Sequence, residues 1–102
     1  MRQAEVVVYL SRSCFYCIRA KHLLERKGVQ YTSIAVDGDP ALWDEMEARS
    51  RRHTVPQIFI DQRAVGGFSD IAQLDRDGLL DALLFPALDS GQNSGQNSGD
   101  SP

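Results

Sequence analysis

The first third of the chain alternates between two short strands and a helix, and this pattern limits the folds open to it. Residues 5–10 form a β-branched apolar run typical of a buried strand. In residues 14–27 the pattern becomes helical, with Cys17, Ala20 and Leu24 on one face and Gly28 where a left-handed C-cap is expected. Residues 31–36 read as a second strand. Such a unit joins parallel strands by a right-handed crossover, so we expect an α/β domain.

The remaining elements follow from turn and capping residues. Asp39 is the expected N-cap of a second helix with Pro40 at its first position, and Ser69 or Asp70 is expected to cap a later short helix. We expect these elements at the following positions: a helix over 40–51, strands over 57–60 and 63–65, a helix through about 75, and a last turn or helix ending near 84. The order β-α-β-α-β-β-α-α predicts a four-stranded mixed sheet with helices on both faces.

The composition changes abruptly near residue 90. Residues 90–102 contain Gly-Gln-Asn-Ser twice and no apolar side chain, so they cannot contribute to a core. We therefore predict one folded domain over residues 1–89 and a disordered tail over 90–102. A domain of this size can bury a sufficient core without disulfides.

Charge and hydropathy exclude several classes of protein. The net charge is −3, and the basic residues cluster only at Arg49, Arg51 and Arg52, which argues against nucleic-acid binding. The longest early apolar run has five residues, far fewer than the roughly 18 of a membrane span. We expect a cytoplasmic monomer with no membrane partner. Thiols stay reduced there, so a close cysteine pair is expected to be catalytic or metal-binding.

Cys14 and Cys17 form a Cys-x-x-Cys motif where the first helix opens. A helix N-terminus favours negative charge, so Cys14 is the expected nucleophilic thiolate. Cys17, one turn into the apolar face, is better placed to resolve a mixed disulfide. Two alternatives remain: a pair of core cysteines, and a zinc site. One motif supplies only two zinc ligands, and His22 and His53 are poorly spaced to complete the set, so we expect His22 to be an exposed helix residue and His53 a loop residue.

Three segments, in order, resemble the glutaredoxins, and most closely the bacterial dithiol class. The likeness extends over about residues 5–84. The segments are Tyr9-Leu10-Ser11-Arg12-Ser13-Cys14-Phe15-Tyr16-Cys17, Thr54-Val55-Pro56-Gln57-Ile58-Phe59-Ile60 and Gly66-Gly67-Phe68-Ser69-Asp70. The resemblance implies a thioredoxin-like fold, a cis Val55–Pro56 bond facing the cysteines, and an enzyme that uses glutathione as cosubstrate in cell redox homeostasis and electron transport.

The resemblance also implies a glutathione site. The γ-glutamyl carboxylate would meet the backbone N–H groups of Phe68 and Ser69, Asp70 would receive the amine, Arg52 would bind the glycyl carboxylate, and Tyr16 would border the groove. The full set of expected glutathione contacts is Arg12, Tyr16, Arg52, Thr54, Val55, Pro56, Gly67, Phe68, Ser69 and Asp70. The expected partners are glutathione and disulfide-bonded or glutathionylated proteins.

Two residues depart from the family pattern. Phe15 replaces the proline usual after the nucleophile, and Ser11 replaces a frequent lysine, although Arg12 is adjacent and can supply the charge. Some glutaredoxins without the motif proline carry iron and sulfur, so a [2Fe-2S] cluster held by Cys14 and glutathione in a dimer is the alternative function. A redoxin reduced by thioredoxin reductase is a third. No other metal is expected.

Overall fold

The computed structural model describes residues 3–86. The predicted domain end at residue 89 and the predicted tail over 90–102 lie outside the described residues. The elements are β1 (Val6–Leu10), α1 (Phe15–Arg26), β2 (Thr32–Ala35), α2 (Pro40–Ser50), β3 (Gln57–Ile60), β4 (Arg63–Gly66), α3 (Phe68–Arg76) and α4 (Leu80–Leu84). The predicted order is confirmed, the predicted strand over 57–60 agrees with β3, and the other predicted limits agree or differ by one residue, apart from the start of α3.

One capping prediction is wrong. The N-cap of α3 is Gly67, so the helix begins at Phe68 rather than after Ser69 or Asp70. Asp70 is the third helical residue, and its carboxylate accepts a hydrogen bond from the N–H of Gly67 at 2.8 Å. It therefore satisfies a free backbone donor from inside the first turn instead of from the cap position. The other predicted caps are confirmed: Asp39 accepts from the N–H of Leu42, and Gly28 has a φ of +73°.

The four strands form one mixed sheet in the order β2-β1-β3-β4. β1 is parallel to β2 and antiparallel to β3, and β4 returns antiparallel to β3. Alternate side chains of β1 enter two cores: Val6 and Val8 pack with α1, α3 and α4, whereas Tyr9 packs with Met46 of α2 on the other face. Helices thus cover both faces. Within residues 3–86 no helix has the length and apolarity needed to cross a membrane.

Four connecting segments lie together at one end of the sheet, where β1, β2 and β4 end and β3 begins. β1 and β2 are parallel, so both end there, while Tyr9 pairs with Gln57 at the start of β3 and Ile58 pairs with Gly66 at the end of β4. The segment that carries Cys14 follows β1 and therefore lies between residues 36–39, after β2, and residues 54–56, before β3. This order decides which side chains surround the cysteines.

Candidate active site

Cys14 is the N-cap of α1. Its backbone is extended, and its sulfur accepts a hydrogen bond from the N–H of Cys17 at 3.4 Å. The same sulfur lies 3.8 Å from the carbonyl oxygen of Val55, and the side chain is half-buried. An N–H donor and the helix N-terminus both stabilise negative charge on sulfur. The site therefore offers a reachable sulfur suited to nucleophilic attack.

Cys17 lies in a different environment only one turn away. The residue is 1% exposed, and its sulfur accepts from the N–H of Ser11 at 3.5 Å. Burial raises the pKa of this thiol to about 12. Cys17 is thus protonated at neutral pH and is shielded from large reactants. The two thiols are free in this structure.

A groove of about 470 Å³ opens beside Cys14 on the β3 side. It brings together nine of the ten residues expected to contact glutathione, which are Tyr16, Arg52, Thr54, Val55, Pro56, Gly67, Phe68, Ser69 and Asp70. The Val55–Pro56 peptide bond is cis, as the resemblance implied. The N–H groups of Phe68 and Ser69 belong to the first turn of α3, where backbone donors have no partner within the helix.

Aromatic rings form one wall of this groove. The rings of Tyr16 and Phe68 stack with their centroids 6.3 Å apart and their planes 30° from parallel. The guanidinium of Arg19 lies 5.8 Å from the centroid of the Tyr16 ring. Tyr16 is 58% exposed, so this wall presents apolar surface to a ligand.

Arg52 and Asp70 meet at the groove as an ion pair. A guanidinium nitrogen of Arg52 lies 2.8 Å from Oδ2 of Asp70, the oxygen that also accepts from Gly67. The Arg52 guanidinium, and then the Gly67 N–H, hold the pKa of the Asp70 carboxyl below its usual value. Both side chains are about half exposed, so the pair can open to a ligand that offers a carboxylate and an amine.

Gly66 makes room for this pair, a role not predicted from the sequence, where Gly66 was named only as the first residue of the glutaredoxin-like segment 66–70. Its φ is +124°, and a Cβ added there would lie 2.3 Å from Oδ2 of Asp70. A side chain at residue 66 would therefore collide with the carboxylate. The signal was present in the sequence, because Gly66 and Gly67 together precede Asp70.

Arg12 is the expected contact that does not line the groove. Its guanidinium lies 3.1 Å from Oδ2 of Asp37, on the β2 side of Cys14, and lowers the pKa of that carboxyl. Asp37 was missed by the sequence analysis. It follows β2 as Arg12 follows β1, and because the ends of parallel strands meet at one edge, the topology could have indicated this pair.

The alternatives to a thiol site find little support in the geometry. Cys14 is reachable, unlike a core cysteine, and His22 and His53 are both exposed. Across residues 3–86, no three His, Cys, Asp or Glu side chains form a group that could hold a metal ion. The described side chains therefore arrange one accessible and one buried thiol beside a groove that Arg52, Asp70 and the first turn of α3 border.

Comparisons with known proteins point to one family. The glutaredoxin family model matches residues 6–65. The chain is 52% identical over 79 residues to a glutaredoxin of Pseudomonas aeruginosa, covering 78% of this chain and 94% of the relative. It is 49% identical over 81 residues to glutaredoxin 3 of Escherichia coli, covering 79% and 98%. Among solved structures, a buckwheat glutaredoxin–glutathione complex is similar with a TM-score of 0.73 and 30% identity, covering 79% and 76%.

Proposed function

The chain belongs to the glutaredoxin family, and from that premise we propose that Cys14 and Cys17 carry out glutathione-dependent reduction of protein disulfides and of glutathionylated proteins. The family consists of thiol oxidoreductases, so an exchange reaction at sulfur is the activity to be assigned to this fold. The observation that carries the residue assignment is the position of the Cys14 sulfur, at the N-terminus of α1 and 3.8 Å from the carbonyl of Val55 in the groove wall.

Removal of glutathione from a protein needs Cys14 alone. The Cys14 thiolate attacks the glutathione sulfur of the mixed disulfide, a new sulfur–sulfur bond forms, and the protein thiolate leaves and takes a proton from water. A second glutathione thiolate then attacks the glutathionyl sulfur, which frees Cys14 and releases oxidised glutathione. The net reaction consumes one free glutathione, whose sulfur is oxidised to the disulfide level as the protein sulfur is reduced to a thiol; the glutathione of the mixed disulfide stays at the disulfide level throughout.

A protein disulfide needs both cysteines. Cys14 attacks one sulfur of the disulfide and displaces the first protein thiolate. Cys17 then loses its proton as it attacks the Cys14 sulfur, and the second protein thiolate leaves with that proton. The buried Cys17 thiol is protonated until this step because burial raises its pKa, so it does not compete with Cys14 for the incoming disulfide. Two glutathiones reduce the resulting Cys14–Cys17 disulfide.

The groove on the β3 side supplies the glutathione contacts. In this proposal the γ-glutamyl carboxylate accepts hydrogen bonds from the N–H groups of Phe68 and Ser69 at the start of α3. Asp70 pairs with the ligand amine and Arg52 with the glycyl carboxylate, so the ligand replaces one internal ion pair by two. Tyr16 and Phe68 cover the middle of the tripeptide, beside residues 54–56.

The test is an assay with a mixed disulfide of cysteine and glutathione, coupled to glutathione reductase and NADPH. We expect Cys14→Ser to abolish turnover and Cys17→Ser to retain it. With a protein disulfide as substrate, both variants are expected to lose activity. His22→Gln, which changes an exposed residue of α1, serves as the control. Full turnover by Cys14→Ser would contradict the assignment.

The finer expectations on location and assembly are part of the same proposal. We propose that the protein acts in the cytoplasm, where glutathione is reduced, and as a monomer, because a single chain contains both cysteines and the groove. Sedimentation of the reduced protein with and without glutathione tests the assembly. A dimer that forms only with glutathione and iron would favour the cluster-binding alternative.

The [2Fe-2S] alternative depends on Cys14. One chain offers a single reachable thiol, since Cys17 is 1% exposed, so a cluster would need ligands from glutathione and from a second copy. Cys14 could supply one thiolate at the subunit boundary, and the groove could hold the glutathione that supplies another. Anaerobic reconstitution with iron, sulfide and glutathione distinguishes the functions, because the oxidoreductase alone yields a colourless monomer.

A further inference from the structure

A second groove lies on the opposite side of Cys14 from the proposed glutathione groove. It is shallow, with a volume of about 430 Å³, and follows the end of β2. It is lined by Val36, Asp37, Gly38, Asp39, Pro40 and Trp43. We name it the β2-side groove.

The β2-side groove is joined to the segment that carries Cys14. The N–H of Val36 donates to the carbonyl of Leu10 at 2.9 Å, and Arg12 reaches Asp37 at 3.1 Å. Because β1 lies between β2 and β3, Cys14 has this groove on one side and the proposed glutathione groove on the other. A substrate held at the Cys14 sulfur therefore has a concave surface on each side.

We propose that the β2-side groove holds the polypeptide half of the substrate and favours a cationic residue beside the reactive cysteine. This inference rests on the proposed function. One half of a protein–glutathione mixed disulfide is glutathione, which fills the β3-side groove. The other half is a polypeptide, which needs a separate surface next to the same sulfur.

The lining of the β2-side groove suits a polypeptide. Val36, Pro40 and Trp43 provide apolar contact area, and the Trp43 ring is only partly buried against the α2 core. Apolar contact is non-directional, so such a surface can accept a range of side chains.

The charges that border the two grooves favour a cationic polypeptide at the β2-side groove. The N-cap of α2, Asp39, lies at the β2-side groove, whereas Arg52, two residues beyond the end of the helix, lines the proposed glutathione groove. Asp37 and Asp39 thus border the β2-side groove, and Arg52, which is paired with Asp70, borders the other. Arg12 is 80% exposed, so its ion pair with Asp37 is weak and can exchange for a substrate cation. Glutathione, an anion, fits the arginine side, and a basic segment fits the aspartate side.

The fluorescence of Trp43 can report on binding at the β2-side groove, because the chain has one tryptophan. A short peptide with the sequence Ala-Lys-Cys-Leu-Ala, activated as its thionitrobenzoate disulfide, is trapped on the Cys17→Ser variant. The Cys14 thiolate attacks the peptide sulfur and displaces thionitrobenzoate. One thionitrobenzoate is released for each adduct formed, so the amount released measures the amount of adduct. A matched sample carries glutathione on Cys14 instead.

We expect the trapped peptide to cause a loss of acrylamide quenching of Trp43 fluorescence, and glutathione to leave that quenching as in the free protein. Equal quenching in the two adducts would overturn the proposal while leaving the proposed function intact. If neither adduct forms, Cys14 is not the nucleophile and the proposed function itself fails. The two failures are therefore distinguishable.

A second measurement tests the charge preference. Two glutathionylated peptides differ only in Lys or Glu beside the cysteine, and we expect kcat/KM to be roughly two- to five-fold higher for the Lys peptide at low salt. Asp39→Asn, which keeps a helix-capping side chain, is expected to reduce this ratio. The control, Asp77→Asn, removes an equal charge at the far end of α3 and is expected to preserve it. A ratio near one in the unmodified protein, or an unchanged ratio in Asp39→Asn, would overturn the charge preference.

Discussion

Arg52 and Asp70 form an ion pair of 2.8 Å inside the groove that is proposed to bind glutathione. They stand 18 residues apart in the chain, and each is the expected partner of an opposite charge on the ligand. In the free protein the Arg52 guanidinium and the Asp70 carboxylate therefore pair with each other. Bound glutathione would separate them and pair with each one.

Replacing Arg52 tests both the pair and the ligand contact. In Arg52→Gln, loss of the guanidinium is expected to raise KM for glutathione by roughly two- to ten-fold, the range for one hydrogen bond of about 0.5–1.5 kcal/mol. A smaller change in kcat is expected, because Arg52 does not touch the reacting sulfur. Arg63→Gln, an exposed change at the start of β4, is the matched control. The same rise in both variants would contradict a specific role.

The titration of Asp70 is expected to follow Arg52. Arg52 lowers the pKa of Asp70 below its ordinary value of 3.8 in the folded protein. The carboxylate therefore contributes stability that is present above pH 3.8 and is lost as the pH falls through the lowered pKa. In Arg52→Gln the pKa is expected to move back towards 3.8, which carbon NMR of the Asp70 carboxyl measures. An unchanged pKa would show that the Gly67 N–H alone sets it.

The two thiols are expected to differ sharply in reactivity. Because burial raises the pKa of Cys17 to about 12, iodoacetamide at pH 7 should modify Cys14 in the folded protein and reach Cys17 only after unfolding. Mass spectrometry of the digested protein identifies the modified residue. Rapid labelling of both cysteines in the native state would contradict the burial of Cys17.

The same raised pKa has a consequence for stability. The thiol group has an ordinary pKa of 9.0, so its contribution to folding is fully present below pH 9 and is lost as the pH rises towards 12. The loss is up to about 1.4 kcal/mol per pH unit. Urea denaturation of the reduced protein at pH 8 and at pH 10.5 measures it. Cys17→Ala, which lacks the titrating group, is expected to lose less stability over this interval.

Gly66 is expected to tolerate no side chain. Gly66→Ala adds a Cβ 2.3 Å from Oδ2 of Asp70 at a φ of +124°, so we expect a loss of about 3–4 kcal/mol in the free energy of unfolding and a higher KM for glutathione. Gly78→Ala is the control, because residue 78 also has a positive φ, +74°, but a Cβ added there would meet no atom within 4 Å beyond its own chain neighbours. It should cost about 1–2 kcal/mol. Equal losses would mean that backbone strain, and not the collision with Asp70, explains the glycine.

Phe15 is expected to contribute little to stability although it is large and apolar. The side chain is 81% exposed, so Phe15→Ala should change the free energy of unfolding by less than about 0.5 kcal/mol. Leu24→Ala, in the core side of the same helix, should cost about 2–5 kcal/mol. Thermal or urea denaturation compares the two. A large loss in Phe15→Ala would mean that the ring packs against the protein in solution.

The sequence by itself determined the local structure. The Asp39 cap and the left-handed Gly28 depend on contacts within a few residues, so their patterns predict them directly. The helical face that buries Cys17 and leaves Cys14 at the N-cap is equally local. The groove residues were predicted only through the family resemblance. The nine residues that line the groove lie in three separate segments of the chain, so no local pattern connects them.

The tertiary structure decided which individual side chains meet where the strands end. Arg12 pairs with Asp37 rather than lining the groove with Arg52, since β1 lies between β2 and β3 and the Arg12 side chain reaches the β2 side. Asp70 acts within the first turn of α3 because Gly67 takes the cap position and leaves an N–H within its reach. These pairings depend on strand order and on the reach of single side chains, and neither quantity is encoded in the periodicity of a short segment.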